Sequence, residues 1–342
     1  YTVNFGGNYR YNYSRGIGQY GSNLKINKFY AISNCWSYST NEWLSKKEVF
    51  SVYSLGQVSF REWLYFDVTL RNDWSSTLPP GSNSYFYHSE NLSFLFTKAL
   101  NTDTRILSSG KLRASFAKVG NDTNPYETNQ YFYVSQSQLP YPFGTFSDVL
   151  PTYDLQPELT HSWEAGVNLE FLNSRIILDV TAYTTNSNNQ IIRVQLPVSS
   201  GFNRKVMNAA DLRNRGIELQ ADFSVIRSRK FNWDMTLTWS KNKTMVKELY
   251  KNASSFLLDE TWFATLQAVP GEEYGLIYTR DFKRDAFGRV LVDDNGFVLA
   301  GEYKRMGKIT PDWTGSISGK VSYGNFSLAA LVDIRMEETF IQ

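Results

Sequence analysis

The sequence contains very few of the side chains that bind metals or form disulfides. Among its 342 residues it has one cysteine, Cys35, and two histidines, His88 and His161, which lie far apart. A single cysteine excludes an intrachain disulfide and a cysteine-based zinc cluster, and neither histidine has a partner at ligand spacing. The sequence therefore predicts no metal site and no cofactor.

Long apolar runs are also missing. No stretch approaches the roughly 18 consecutive apolar residues that indicate a transmembrane helix. The first residues, YTVNFGGNYRYNY, also lack the charged, apolar and small-residue segments of a secretion signal. Because these residues already alternate between polar and apolar, we expect the chain to be an interior piece of a larger protein.

Aromatic residues, in contrast, are abundant. Phe, Tyr and Trp make up 16% of the chain, while the mean hydropathy is only −0.38. Many amphipathic rings in a chain of modest hydropathy suit surfaces that meet lipid headgroups, carbohydrate or another protein. The net charge of +2 indicates no polyanionic partner, so nucleic acid binding is not predicted.

The dominant pattern is an alternation of apolar and polar residues, as in YFDVTLRNDWSSTLP at residues 65–79. About eleven such segments occur, most of them about 9–11 residues long, the length that crosses a bilayer at a tilt. We predict an all-β fold, an antiparallel transmembrane β-barrel that is partial. Lipid-facing positions are expected at Phe66, Val68, Leu178, Val180, Leu219 and Leu237. Lumen-facing positions are expected at Asp67, Asp179, Glu218 and Asp234.

The connections between these segments alternate in length. Short turns are predicted at residues 171–174, 226–230 and 322–325, and long polar loops at 120–160, 185–214 and 241–313. Short turns at one rim and long loops at the other are typical of bacterial outer-membrane barrels, whose long loops are extracellular. A soluble β-sandwich or propeller remains the alternative at this point.

Three local patterns have competing interpretations. GIGQYG at residues 16–21 matches a nucleotide-binding spacing, but no buried strand precedes it and no helix follows, so a flexible loop is predicted. DAFG at 285–288 and DDNG at 293–296 predict two turns, with a calcium site in the 285–296 segment as the alternative. The recurring lumen-side carboxylates indicate a solvated pore lining, so no enzymatic activity is predicted.

Several longer strings resemble the SusC/RagA family of TonB-linked outer-membrane transporters. They include LRNDWSSTLP (70–79), LRASFAKVGNDTNPY (112–126), LQPELTHSWEAGVNLEFLNSRIILDVTAYT (155–184) and LRNRGIELQADF (212–223). Two more are GEEYGLIYTRDFKRDAFGRVLVDDNG (271–296) and GKITPDWTGSISGKVSYGNFSLAALVDI (307–334). The resemblance covers most of the chain from about residue 48 onward.

The resemblance implies a place and a role for the whole protein. It implies a multi-pass protein of the bacterial outer membrane that actively imports an oligosaccharide or a peptide. It also implies two protein partners, TonB and a SusD-like surface lipoprotein that lies over the long loops. The family's plug domain and final strands are not recognisable, so residues 1–342 are expected to be a portion of one barrel domain. A passive porin and a soluble carbohydrate-binding or adhesion protein are the alternatives.

The loop at 120–160 carries the candidate ligand site. Its aromatic residues stand among Asn, Gln, Ser and Pro, and rings beside amides suit the binding of sugars or peptides. The candidate substrate-binding residues are Tyr126, Tyr131, Tyr133, Tyr141 and Phe143, with Trp262 from the 241–313 loop. The alternative is that these rings pack the loops onto themselves or onto a partner.

Overall fold

A computed structural model describes residues 1–102, 106–135 and 143–336, with the backbone alone described at residues 133–135, 143 and 145. The long strands are β1 (Thr2–Leu24), β2 (Cys35–Phe60), β3 (Leu64–Ser75), β4 (Ser84–Phe94), β5 (Leu107–Asn121), β9 (Glu158–Phe171), β10 (Ile176–Gln195), β11 (Arg204–Arg227), β12 (Phe231–Leu249), β17 (Trp313–Tyr323) and β18 (Phe326–Met336). The loop strands are β6 (Phe132–Ser135), β7 (Phe143–Phe146), β8 (Val149–Leu150), β13 (Phe256–Glu260), β14 (Ala264–Ala268), β15 (Leu276–Phe282) and β16 (Ala300–Lys308).

Helical structure is confined to short segments. The α-helix α1 spans Phe96–Ala99, and three single 3-10 turns span Ile32–Asn34, Val198–Ser200 and Tyr250–Asn252. Within the described ranges, the structure contains no helix whose length and apolar character would let it cross a bilayer.

The eleven long strands form one antiparallel sheet. Its order is β1-β2-β3-β4-β5-β9-β10-β11-β12-β17-β18, and the two-residue β8 pairs in parallel with β11. Neighbours in space are therefore neighbours in sequence, apart from the loop strands inserted between β5 and β9 and between β12 and β17. The antiparallel arrangement of about eleven long strands predicted from the alternation is confirmed.

Cross-strand registers show that the alternation sorts residues onto two faces. One row across five strands is apolar, namely Leu178, Ala221, Leu237, Ile317 and Val332. The next row, one residue along each strand, is polar, namely Asp179, Gln220, Thr238, Ser316 and Asp333. Successive side chains on a strand point to opposite faces. One face of the sheet, here called the outer face, therefore carries the predicted lipid-facing residues, and the inner face carries the predicted lumen-facing residues.

Aromatic pairs lie at two levels of the outer face. Towards the long-loop rim, Phe50 lies beside Trp74 with ring centroids 5.5 Å apart, and Phe116 lies 4.4 Å from Trp163. At the other rim, the ring of Trp63 contacts Phe60 and Phe94. Phe171, the last residue of β9, also lies on the outer face at the short-turn rim. Trp163 is eight residues from Phe171 on β9, a rise of about 27 Å at about 3.4 Å per residue. At a tilt of about 40° this is about 20 Å along the bilayer normal, close to the apolar band of an outer-membrane barrel.

The strands extend far beyond the predicted lengths. β1, β2, β10 and β11 contain 23, 26, 20 and 24 residues. The predicted loop at 185–214 is wrong, because β10 and β11 continue through most of it and leave only residues 196–203 as the connection. Beyond the membrane both faces of a strand meet water or loops, so the apolar alternation that reveals a strand disappears while the backbone pairing continues.

The predicted loop at residues 16–21 is also wrong, because this segment lies inside β1. Gly16 pairs with Trp43 of β2, and a Cβ atom at Gly16 would lie 2.3 Å from the Trp43 indole nitrogen. Because Gly16 has no side chain, the Trp43 indole can lie across β1. This is a packing role in a sheet rather than phosphate binding.

The predicted short turns are confirmed. Residues 172–175, 228–230 and 324–325 connect β9 to β10, β11 to β12 and β17 to β18. The connections at the opposite rim span residues 25–34, 76–83, 122–157, 196–203 and 250–312. The long-loop rim and the short-turn rim are therefore at opposite ends of the sheet, as predicted.

A charge should be costly on the outer face alone. We predict that Leu178→Arg destabilises the folded barrel by about 2–4 kcal/mol, the cost of a cation at the lipid midplane. Gln220→Arg is the matched control, because Gln220 pairs with Asp179 on the adjacent strand and lies on the inner face. Unfolding of the full-length protein in lipid vesicles by urea measures both changes. Equal costs at the two positions would contradict the assignment of faces.

The two rims should differ in access from outside the cell. Cys35 is buried and is replaced by serine, and a single cysteine is then introduced by Val198→Cys or by Arg229→Cys. We predict that a membrane-impermeant thiol reagent labels intact cells carrying the first variant, because Val198 lies in the exposed 196–203 connection. The second variant should react only after lysis, and rapid labelling of it in intact cells would reverse the topology.

Candidate functional site

The inner face contains a polar network centred on Arg113 of β5. Its guanidinium donates two hydrogen bonds to the carboxylate of Asp179 on β10, at 2.8 and 2.6 Å. Asn168 of β9 donates to the same carboxylate at 3.1 Å, and Glu164 lies 3.7 Å from Arg113 Nε. A bidentate arginine–carboxylate pair fixes both planar groups in one geometry. The network therefore ties three adjacent strands together across the inner face.

A glycine makes room for this network. Gly166 of β9 lies opposite Arg113 in the register, and a Cβ atom there would be 2.6 Å from the Arg113 Nε atom. The network borders a cavity of about 650 Å³ whose lining includes Glu164, Asp179 and Glu218. With three carboxylates and one guanidinium among these groups, the middle of the inner wall is polar and acidic.

A second polar cluster lies higher on the inner face, towards the long-loop rim. Arg71 donates to both oxygens of Asp73, at 2.7 and 3.3 Å, and to the Ser51 hydroxyl at 3.0 Å. The Tyr87 hydroxyl donates to Asp73 at 3.0 Å, and its ring stacks on that of Tyr85. Asp73 is buried, and hydrogen bonds to a buried carboxylate are what make its burial tolerable. This cluster holds β2, β3 and β4 together just below the level of Trp74.

The loop at 122–157 is fastened to this part of the wall at its start. The carboxylate of Asp122 accepts hydrogen bonds from the Lys47 ammonium and the Ser75 hydroxyl, both at 2.5 Å. Four residues later, the Tyr126 hydroxyl accepts a hydrogen bond from the backbone of Lys46 at 3.0 Å. The first residues of the loop therefore lie against β2 and β3.

The end of the same loop is fastened to β11. Asn208 donates to the carbonyl of Gln156 at 2.8 Å and accepts from the Gln156 amide at 2.9 Å. Leu155 is completely buried in an apolar cluster with Leu78 and Tyr85. Tyr85 pairs with Asp73, so it belongs to the inner side of the wall. The loop is thus anchored at both ends on the wall, with residues 127–147 between the anchors.

The aromatic residues proposed from the sequence lie mostly in this anchored loop. Tyr126 and Tyr131 are about two-fifths exposed. Tyr133 lies in β6 and Phe143 in β7, strands that pair with each other, while Tyr141 lies outside the described residues. Tyr126, Tyr131, Tyr133 and Phe143 thus belong to one loop, and their role in binding stays a prediction.

Trp262 is separate from this group. It lies in the turn between β13 and β14 and is fully exposed. An exposed indole at the tip of a turn contributes no packing to its own loop. Trp262 therefore does not pack onto its own loop, and contact with a ligand or with a partner protein stays a prediction.

The loop at 250–312 carries a small sheet of its own. Its order is β13-β14-β15-β16. Ala268 of this sheet is buried against Val246 and Leu249 of β12, with Phe256 and Leu212 packed around them. Leu212 lies an even number of residues from Gln220 on β11, and Val246 an even number from Thr238 on β12, so both side chains lie on the inner face. This loop therefore also packs on the inner side of the wall. Sequence reasoning predicted a polar loop here because its strands are short and irregular.

The 285–296 segment forms the two predicted turns. The Asp285 carboxylate accepts hydrogen bonds from the backbones of Phe287 and Arg289, and Asp293 accepts from those of Asn295 and Phe297. Gly288 and Gly296 end these turns at positive φ, at 81° and 84°. Side-chain bonds of this kind are typical of Asx turns. Both carboxylates are thus used by their own turns, and within the described ranges no group of three acidic, His or Cys residues is placed to hold a metal ion.

Comparison with known proteins identifies the family of this barrel wall. A family model described as "TonB dependent receptor-like, beta-barrel" matches residues 1–336. The chain belongs to this family. This match confirms the resemblance inferred from the sequence strings. TonB-dependent receptors are outer-membrane proteins.

Two curated TonB-dependent receptors illustrate the similarity. TonB-dependent receptor P3 of Formosa agariphila is 23% identical over 320 residues, which cover 84% of this chain and 32% of that protein. TonB-dependent receptor SusC of Bacteroides thetaiotaomicron is 29% identical over 151 residues, covering 41% of this chain and 15% of SusC. The chain spans about a third of the length of P3.

A solved structure shares the fold over almost the whole chain. The RagAB peptide transporter superposes with a TM-score of 0.80 at 19% identity, covering 97% of this chain and 38% of that one. At this identity the likeness concerns the fold alone. It shows that the open sheet of this TonB-dependent receptor chain has the curvature and strand order of part of a larger barrel.

Sequence reasoning missed the residues that anchor the loops and the network. Asp179 was assigned to the inner face, but its partner Arg113 is 66 residues away in the chain. Asp122 was not singled out, although its position directly after the alternation of β5 is a signal that it begins a loop. Such pairs become visible only when the strand registers are known.

An ionic cluster at the base of the loop sheet should make it sensitive to acid. Lys308 lies 2.9 Å from Glu273 and also contacts Asp312, and Lys243 lies 3.5 Å from Glu273. Burial would raise the pKa of the Glu273 carboxyl, but hydrogen bonding to Lys308 and the charges of Lys308 and Lys243 outweigh it, so that this pKa lies below its ordinary 4.5. A lowered pKa contributes stability above the ordinary value that is lost as the pH falls through the lowered one.

We therefore predict that β14 and β15 are equally protected between pH 6 and pH 8 and lose protection below about pH 4.5. At pH 7, Glu273→Gln should speed their amide hydrogen exchange by up to about fivefold, the scale of a partly exposed ion pair. Hydrogen exchange of the full-length protein, corrected for the intrinsic effect of pH, measures this. The exposed Glu302 of β16 is the matched control, and an equal effect of Glu302→Gln would contradict the role of the cluster.

Proposed function

We propose that this chain forms part of the barrel of a transporter that imports an oligosaccharide or a peptide across the bacterial outer membrane by a TonB-dependent mechanism. The observation that carries the proposal is the position of the two long loops. Both pack on the inner side of a polar wall, and one holds an aromatic, amide-rich segment between two anchors. We infer that a ligand entering from outside would meet this segment.

The chemistry of this segment supports the substrate class. Exposed tyrosine rings can stack on sugars or on apolar peptide side chains, while neighbouring amides supply directional hydrogen bonds. The relatives include a protein named as a peptide transporter, which supports a peptide as one of the two candidate substrates. The polar groups of the inner wall are bonded to one another in structural networks, and the proposal gives none of them a catalytic role.

The two edges of the sheet indicate that the barrel needs further strands. Within the described ranges β1 and β18 each have one neighbouring strand, and an open edge in lipid leaves backbone groups without hydrogen bonds. We infer that residues 1–342 are a portion of one barrel domain that further strands complete and a plug domain fills. TonB would act through that plug, and a SusD-like lipoprotein would cover the loops at 122–157 and 250–312.

A passive porin is the competing function. The two differ in their need for energy, because a plugged barrel opens only when TonB acts on it, whereas a porin conducts by diffusion. Uptake of labelled peptides and oligosaccharides is therefore compared in cells with and without TonB. Uptake that survives the loss of TonB would overturn the proposed mechanism.

The aromatic segment is tested by removing its rings. We predict that Tyr131→Ala, Tyr133→Ala and Tyr141→Ala together weaken substrate binding at least about tenfold, given about 1–3 kcal/mol for each aromatic stacking contact. Barrel assembly should be unaffected, because no residue of the eleven-stranded sheet changes. The matched control is Phe287→Ala with Phe297→Ala, two exposed rings in the 285–296 turns.

Binding and surface abundance are measured together in the full-length protein. Normal binding by the triple variant at normal abundance would assign these rings to loop packing or to a lid protein. An equal loss in the control would show that any exposed ring of the loops matters, and would remove the specific assignment.

A further inference from the structure

A basic cleft lies on the outer face, above the apolar band of β10–β12. It is a surface cavity of about 430 Å³, and its lining includes Arg213, Arg215, Lys243, Met245 and Lys247. None of its lining side chains is a carboxylate. Four cations around one cleft form a concentrated positive patch in a chain whose overall net charge is only +2.

The register places these cations on the side that faces lipid. Arg215 pairs with Lys243, and two residues further down the strands Ile217 pairs with Lys241. Ile217 in turn lies beside Ala182, in the apolar set of the outer face. Arg215 is two residues from Ile217 on β11, and Lys243 is two residues from Lys241 on β12. All four side chains therefore lie on the same face of the sheet.

The cleft lies just above an aromatic ring of the outer face. On β12, Lys241 and Lys243 lie two and four residues above Trp239, towards the long-loop rim. Just below, Trp239 pairs with Leu219 on the apolar face. Tryptophan at this position marks the interface between the hydrocarbon and the headgroups of an outer-membrane barrel. The cleft therefore lies at the level of the lipid headgroups on the long-loop side.

Neighbouring groups orient the cations without neutralising them. Arg213 Nε donates to the Asn186 side chain at 2.9 Å, which fixes the guanidinium against the strand. Glu273 lies 3.5 Å from Lys243, but it is shared with Lys308, which is closer at 2.9 Å. Arg215, Lys241 and Lys243 remain exposed. Arginine forks match phosphate oxygens, and lysines add point charges.

We propose that Arg213, Arg215 and Lys243 of the cleft, with Lys241 two residues below Lys243 on the same face, bind the phosphate groups of an anionic lipid in the outer leaflet. The acyl chains of this lipid lie along the apolar surface formed by Ile217, Leu219 and Trp239. The choice of a lipid over a free phosphate ion rests on this surface, because it continues directly from the cleft into the hydrocarbon layer. The site would fix the rotational position of β10–β12, and with it the base of the loop at 250–312, relative to the membrane.

The test uses the full-length protein in nanodiscs of phosphatidylethanolamine with added diphosphoryl lipid A. Native mass spectrometry measures how much lipid A the folded protein retains. The variant is Arg213→Gln, Arg215→Gln and Lys241→Gln, which leaves the contact between Lys243 and Glu273 in place. The control is Arg227→Gln, Arg229→Gln and Lys230→Gln, an equal loss of charge at the short-turn rim.

We expect the variant to retain lipid A at least about tenfold less than the wild type, because each cation near a charged membrane surface contributes measurably to binding. The control should stay within about twofold of the wild type. Equal losses in the two variants would overturn the proposal, since the effect would then be one of net charge.

Two further measurements distinguish a lipid site from a site for free anions. Lipid A from which the phosphates have been removed should be retained equally by the wild type and by the variant. If the wild type retains this lipid as well as it retains diphosphoryl lipid A, the proposal is overturned. Inorganic phosphate at the same concentration should not displace lipid A. Displacement by phosphate would show a free-anion site instead. If the variant fails to fold, Arg215→Gln alone, with Arg229→Gln as its control, gives the same comparison.

Discussion

The structure depends on one constraint, which is that a backbone crossing lipid must satisfy its hydrogen bonds within the protein. From β2 to β17 every long strand meets this constraint with a neighbour on each side. Because the ladder of backbone bonds carries the span, the side chains of the two faces can differ completely. This explains how an apolar row such as that of Leu178 can lie one residue away from the polar row of Asp179.

The same constraint explains what the inner wall contains. The backbone hydrogen bonds already set the register of the strands. The polar side chains of the inner wall can therefore form networks that cross several strands, such as the one formed by Arg113, Asp179 and Asn168. Where a network needs space, as at Gly166, the sequence omits a side chain instead of moving a strand. The wall can therefore present a fixed pattern of charge to whatever fills the barrel, while rows of its outer face such as that of Leu178 stay apolar.

The fold could be predicted from the sequence only where the two faces meet different solvents. Within the bilayer the alternation is strong, and the strands, their faces and the short turns followed from it. Above the bilayer both faces are polar, so the upper halves of β10 and β11 resembled a loop and the glycines of β1 resembled a phosphate-binding turn. The loop anchors join residues far apart in sequence, such as Lys47 with Asp122, and no local pattern reveals such pairs. The aromatic residues of the candidate site were chosen from composition alone, and their role in binding stays a prediction.

The anchors of the 122–157 loop lie far apart on the wall. Asp122 holds the start of the 122–157 loop on β2 and β3, and Gln156 holds its end on β11, five strands further along the sheet. A described residue between these two anchors is also attached to the wall, because the carboxylate of Glu127 accepts a hydrogen bond from Arg193 of β10 at 2.5 Å. These attachments use none of the groups that bond Arg113 and Asp179 to each other and to Asn168, so a change in the shape of the loop leaves that network of the inner wall in place.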